Sequence, residues 1–202
     1  LCYNKFKIRQ REETMENNNT SKKARNISII LLILYLIYFR LVISWIRHMH
    51  SQINIYSIAG VFLPFILFLF IIYGLFKTSG LTNKKHICIN FILIIFPVLV
   101  SFWMLMLNES ESKFNYEGWI EKQDKRIWMV DDLLEKHEIV GMYRNEIIEL
   151  LGEPSDTEYF KESDNIVYWL GTERGLVRID SEWLVIWFDD KDIAIDVKIM
   201  RD

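Results

Sequence analysis

"ISIILLILYLIYFRLVISWI", residues 27–46, is a run of twenty residues interrupted by one charge, Arg40. At 1.5 Å per residue a helix of this length reaches about 30 Å, the thickness of a bilayer's hydrocarbon core. Two further apolar runs follow, at about 55–76 and 87–107. Three such runs in close succession are read as three transmembrane helices rather than as the buried helices of a soluble fold. Pro64 and Pro97 fall inside the second and third. In water they would argue against helix, but membrane helices tolerate proline, with a kink. The first run is long for the apolar region of a secretory signal, and no small-x-small cleavage site follows it. It is read as an uncleaved span.

Charge divides the chain the same way. Residues 1–108 carry 12 Lys+Arg and 3 acids, a net +9, whereas 109–202 carry 12 Lys+Arg and 24 acids, a net −12, within a total of −3. Lipid suits the first part and water the second. A domain at −12 repels phosphates, so no nucleic-acid partner is expected. Both cysteines, Cys2 and Cys88, lie outside the acidic part, which leaves it without a disulfide, a thiolate zinc site or a cysteine nucleophile. Residues 1–26 read as a basic, disordered cytoplasmic tail, and Met15 is an alternative start to Leu1.

Orientation follows from the basic flanks. Seven Lys/Arg precede the first span, three (Lys77, Lys84, Lys85) occupy the loop 77–86, and Arg47 alone lies in the loop 47–54. The N-terminus and the second loop are therefore expected in the cytoplasm and the C-terminal domain outside the cell membrane. Trp45, Tyr56, Tyr73 and Trp103 lie near span ends, where amphipathic rings settle among headgroups. Arg40 is a candidate intramembrane functional charge, for an ion or a partner. The alternative is a side chain that snorkels to the outer interface, since no acid in the spans could pair with it. His48 and His50 lack a third ligand nearby and read as interfacial polar residues rather than a metal pair.

After a polar stalk at 108–119, the acidic part reads as one small domain over 120–202. Ile127, Val130, Leu133 and Leu134 recur at helical spacing and predict an amphipathic helix over about 124–137. Gly141 breaks it. Ile147, Leu150 and Leu151 share a face of a second, short helix, which Gly152 and Pro154 terminate. Strands are predicted at 165–171, 182–189 and 193–199, the last two joined by the tight turn 189–192. The last strand alternates Ile193, Ile195, Val197 and Ile199 with Ala194, Asp196 and Lys198, which predicts a sheet with one wet face. The fold class is thus an α-helical membrane segment plus an α+β domain, two helices packed on a three-stranded antiparallel sheet.

"RIWMVDDLLEKHEIVGMYRNEIIELLGEPSD", then "YWLG" and "IDSEWLVIWFDDKDIAIDVKI", resembles the small extracytoplasmic BamE/SmpA/OmlA-type domain. The likeness covers roughly residues 120–200. Its motifs are structural: Gly141, Gly152 and Pro154 form a turn signature, and the Leu/Ile positions fill a core. The resemblance implies an accessory binding module of the cell envelope, as in the outer-membrane assembly lipoprotein and a similarly folded β-lactamase-inhibitor module. That lipoprotein is anchored by a lipidated cysteine, whereas three spans would anchor this chain.

An enzyme would need a nucleophile–base pair, paired acids or a metal cluster. His137, at the end of the first predicted helix, reads as a cap that complements the helix dipole. Asp131 and Asp132 point about 100° apart on a helix, too divergent to share a proton, and read as solvated. Asp189, Asp190 and Asp192 lack the glycine and distal glutamate of a calcium loop and read as a polar turn. Ser181 has no histidine near it in sequence, "GTERG" (171–175) has no helix behind it to hold an anion, and the tryptophans read as core rather than a ligand platform. No catalytic, cofactor or metal residues are assigned. The expected function is a multi-pass membrane protein presenting a non-catalytic interaction domain to another envelope or exported protein. The alternative is a membrane sensor or transport accessory in which the helical bundle carries the function.

Overall fold

The computed structural model describes residues 2–79 and 84–202; residues 80–83, inside the loop predicted to be cytoplasmic, lie outside the described residues. Helices α1 (Cys2–Met49), α2 (Ile55–Ser79) and α3 (Lys84–Glu111) contain the three predicted spans. Each includes a stretch long and apolar enough to cross a membrane. Their outward faces carry Ile30, Leu41, Leu63, Phe70, Leu99 and Trp103 fully in the open, a surface suited to acyl chains rather than water. An interior seam is built by Tyr35, Phe39, Phe68, Ile94, Val98 and Leu105. The Tyr35 hydroxyl donates to the Ile94 carbonyl at 2.8 Å and that of Tyr38 to the Gly60 carbonyl at 2.6 Å. Polar bonds of this kind tie helices together where lipid supplies no hydrophobic drive between them.

The tail expected to be disordered is instead continuous with α1. No glycine or proline interrupts residues 2–26, and Glu, Lys, Arg and Met favour helix. Thr14 and Thr20 return their hydroxyls to the carbonyls of Gln10 and Glu16, one turn earlier. Pro64 and Pro97 remain inside α2 and α3, as membrane helices allow.

The chain divides into two compact units, residues 1–47 with 53–105, and residues 48–52 with 106–202. The second holds α4 (Tyr116–Glu121), a 3-10 turn (Gln123–Lys125), α5 (Arg126–Lys136), α6 (Arg144–Leu151) and strands β1 (Asn165–Thr172), β2 (Ser181–Phe188) and β3 (Ala194–Arg201). The strands form an antiparallel meander in the order β1-β2-β3. The α+β class holds, with three helices rather than two. The additional helix falls in the predicted stalk. Asn115 caps it by accepting the Gly118 N–H at 2.8 Å, and its Trp119 has no exposed surface. Segment 108–119 looked like a tether because its outward positions are polar; Trp119, with Phe114 against it, draws it into the core.

One face of the sheet packs on the helices. Ile166, Tyr168, Leu170, Leu184, Ile186, Phe188 and Ala194 meet Ile127, Val130 and Leu133 of α5 and Ile147 and Leu151 of α6. The opposite face is not the wet surface that the β3 alternation predicted. Val167, Trp183 and Val185 are buried there, with Phe160, Trp169, Trp187 and Met200 against them. β1 and β2 are apolar on both sides, and the segment after α6 covers them, its Ser155 N–H donating to the Val167 carbonyl at 2.9 Å. The alternation in β3 is itself interrupted. Trp187 faces Asp196 while Phe188 faces Ala194, and this bulge leaves Ile195 turned out to solvent.

Two glycines allow these layers to close. Gly171 has φ of 120°, and a Cβ there would lie 2.5 Å from the Asp124 carbonyl oxygen, so the 3-10 turn could not pack on β1. Gly152 ends α6 at φ of 76°, where a Cβ would meet Ile120 Cδ1 at 2.4 Å. Gly141 has φ of 95° but open space around it. Alanine at 171 should destabilise the domain most, by about 2–3 kcal/mol, with smaller losses at 152 and then at 141. Thermal melts of tryptophan fluorescence on the three variants check this order.

Candidate functional site

Where α6 stops, Gly152 and Pro154 send the chain across the outer face of the sheet. Ser155 fastens it there, donating its N–H to Val167 and accepting the Trp169 N–H at 2.8 Å. Between this segment and the sheet lies a cavity of about 690 Å³, within the usual range of ligand clefts. Its lining includes Gln123 of the 3-10 turn, Arg126 at the start of α5, Glu153 to Thr157, Tyr159, Trp169, Ser181, Trp183 and Asp202. The Tyr159 ring stacks on Trp183 at 5.3 Å and 23°. Trp183 is 7% exposed and its indole N–H is buried without a hydrogen-bond partner. Leaving a buried donor unmade costs about 1–3 kcal/mol, the kind of local deficit found where a structure serves something other than its own stability.

Arg126 forms the cavity's inner end. It is buried, with Nε donating to the Trp119 carbonyl at 2.7 Å and Nη1 lying 3.5 Å from the Trp169 carbonyl. Its guanidinium lies 5.1 Å from the centre of the Trp119 ring and 6.0 Å from that of Tyr168. Burial lowers its pKa, and the Tyr168 hydroxyl acts the other way. The arginine is thus held by carbonyls and ring faces. At the opposite side the Asp202 carboxylate accepts the Ser181 N–H at 2.7 Å. Stacked aromatics, a buried cation and carboxylates in one cleft suit a polypeptide segment, whose side chains, carbonyls and amides need each of these.

The residues singled out in the sequence are distributed differently. Asp132 is not solvated: it accepts the Phe114 N–H at 2.7 Å and pairs with Lys136 at 2.7 Å and Lys113 at 3.7 Å. The domain folds residue 114 back onto α5, which seals this side of the helix. Burial alone would raise the Asp132 pKa, but Lys136, the Phe114 N–H and Lys113 together hold it below the ordinary value. Asp131 is exposed and bonds Arg174 at 2.6 Å. Asp189 accepts the N–H groups of Lys191 and Ile193, each at 2.9 Å, and Asp192 pairs with Arg144 at 2.8 Å, so both serve the hairpin. His137 closes α5, its N–H bonded to the Leu133 carbonyl, with its ring edge-on to Phe114.

His48 and His50 diverge: His48 Nε2 lies 2.9 Å from the Leu176 carbonyl, whereas the His50 ring stacks on Trp128 at 4.3 Å. Among the described residues no group of three His, Cys, Asp or Glu side chains forms a metal site. Arg40 lies on an exposed face of α1. Among the described residues three buried charges escaped the sequence reading, Arg126, Glu173 and Glu182. Glu182 accepts from Arg174 at 2.9 and 3.0 Å and from Arg201 at 3.2 Å. The only sequence signal for Glu182 was an acid at the start of an apolar strand; Arg126, at the head of an amphipathic helix, resembled a solvated residue.

Compared with protein-family models, curated proteins and solved structures, the chain finds no match. The Asp132 brace has a measurable consequence. A carboxylate with a lowered folded-state pKa contributes stability above its unfolded value, about 3.9, and loses it as pH falls through the folded value. Asp132→Asn should cost about 1–3 kcal/mol at neutral pH. The gap to the parent should narrow steadily below pH 4, as melts across pH will register.

Proposed function

We propose that this chain is a multi-pass membrane protein whose helices anchor a non-catalytic α+β domain outside the cytoplasmic membrane, where it binds a segment of another envelope or exported protein. One observation carries the reading: the cavity of about 690 Å³ on the outer sheet face, walled by Tyr159, Trp169 and Trp183 and ended by Arg126. Rigid aromatics with a guanidinium among them are the composition of protein-binding hot spots. The BamE/SmpA/OmlA-type resemblance, an accessory envelope module, points the same way.

Two arguments support the sidedness. The basic residues flanking the first span outnumber the single Arg47 of the loop 47–54, the bias of a cytoplasmic N-terminus. Three crossings then leave that loop and the C-terminal domain on the same side, in keeping with residues 48–52 belonging to one compact unit with 106–202. The alternative, a bundle that acts through Arg40, gains little from that residue's exposed position, which suits a snorkelling side chain.

The test is site-specific photocrosslinking in native membranes with the full chain. A photoreactive residue in place of Tyr159 or Thr157 should yield a discrete protein adduct, and one in place of Glu149, on α6, should not. Arg40→Gln should leave the adduct unchanged. Absence of an adduct at both cleft positions, or equal labelling at 149, removes this reading.

A further inference from the structure

The eight residues between β1 and β2, 173–180, contain an apolar tip for which the cleft has no use. Leu176, Val177 and Ile179 are 65%, 66% and 79% exposed. The segment that carries them is firmly built. Arg174 donates its backbone N–H and its guanidinium to the buried Glu182, and the Glu173 N–H bonds the Asp180 carbonyl at 2.9 Å. The Glu173 carboxylate accepts the Ile179 N–H at 3.3 Å and pairs with Arg201 at 3.4 Å. The carboxylates at the centre of this network, Glu173 and Glu182, are buried, and the three aliphatic side chains are turned out. A fixed loop that satisfies its own polar groups while exposing contiguous aliphatics is shaped for an apolar environment.

What that environment is follows from the loop's own bonds. Leu176 presents its carbonyl to His48 Nε2, and Arg178 donates to the His48 carbonyl while its guanidinium lies 5.3 Å from the Trp128 ring centre. His48 lies in the last turn of α1 and belongs to the same compact unit as the loop, so the tip is bonded to the residue just ahead of the short segment 50–54 that leads in sequence to α2. That connection is flanked by exposed Trp45, Ile55 and Tyr56, side chains characteristic of the headgroup layer. Arg178, bonded to the His48 carbonyl, adds positive charge suited to lipid phosphates.

We propose that Leu176, Val177 and Ile179 insert into the headgroup–acyl boundary of the bilayer, making the β1–β2 loop a second, peripheral membrane contact of the domain. This rests on the reading of α1–α3 as membrane spans. The occupant is lipid; a partner protein or a second copy of the chain would be a different outcome of the test.

The full chain, with Cys2→Ser and Cys88→Ala, would carry a single environment-sensitive fluorophore through Val177→Cys, with Leu99→Cys on α3 and Ser163→Cys as comparisons. Each is reconstituted in phosphatidylcholine–phosphatidylglycerol liposomes bearing nitroxides near the headgroup or deep in the acyl chain. The label at 177 should be quenched by the shallow nitroxide about twofold more than the label at 163, as a group at that boundary would be. The label at 99 should be quenched by the deep one. If the label at 99 is quenched by lipid while that at 177 is as open to aqueous iodide as 163, the loop proposal fails and the anchor stands. Shielding of 177 from both iodide and nitroxide indicates a protein cover and also overturns it. If 99 escapes lipid quenching, the anchor and the loop contact fall together.

Discussion

The C-terminal domain depends on the burial of one cation. Arg126 begins α5, and its guanidinium reaches the Trp119 carbonyl, the Trp119 and Tyr168 rings and the Trp169 carbonyl. It thereby joins α4, α5 and β1, three elements separated in sequence by up to about fifty residues. A guanidinium taken out of water is costly unless its donors and its charge are both accommodated. Here carbonyl oxygens take the donors and aromatic faces take part of the charge. Trp119 answers in kind, donating its indole N–H to the Leu151 carbonyl at 3.1 Å and so fixing the end of α6 as well. The same end of α6 releases the segment that roofs the cleft, so core and cleft share one support.

A second organising device is the use of arginines as internal ties in a domain of strong negative charge. Arg174 and Arg201 converge on Glu182, which is 1% exposed, and Arg174 also reaches Asp131 of α5. Arg144 spans from the first turn of α6 to Asp192 in the β2–β3 turn, with its guanidinium 4.0 Å from the centre of the Phe188 ring. Each planar fork satisfies two geometries at once, which a lysine could not do. Residues 109–202 hold 24 acids against 12 Lys+Arg, so the surface left to water carries a net negative charge. Long-range repulsion of anionic groups follows.

The two units are built in opposite senses. In the helical unit the large side chains face outward, and the interior is held by a narrow seam with tyrosine hydroxyls bonded to backbone carbonyls. In the C-terminal unit the order is reversed, with aromatics and aliphatics between sheet and helices and charge outside. Leu176, Val177 and Ile179 of the β1–β2 loop, with Val140 and Ile195, are exposed aliphatics that depart from this order.

Composition and periodicity were enough for the three apolar helices, the two amphipathic helices around 124–151, and the three strands to within about two residues at each end. These features are local: span length, helical spacing and turn residues each act within a few positions of the chain. The α4 helix, the apolar second face of the sheet and the Ile195 reversal were not legible. Each depends on which distant segment arrives to cover a side chain or on how two strands slip past one another, and a bulge of one residue inverts a face. The cleft belongs to the same class. Tyr159, Trp169 and Trp183 were visible as aromatics, yet nothing local distinguishes a core ring from a wall ring until the chain beyond Pro154 lies across the strands. What the amino-acid sequence determined alone was the division into a long apolar helical part and an acidic α+β part, together with the local elements. What the tertiary structure decided was where charge could be buried, because a site for Arg126 or Glu182 exists only once partners remote in the chain have been brought within hydrogen-bonding distance.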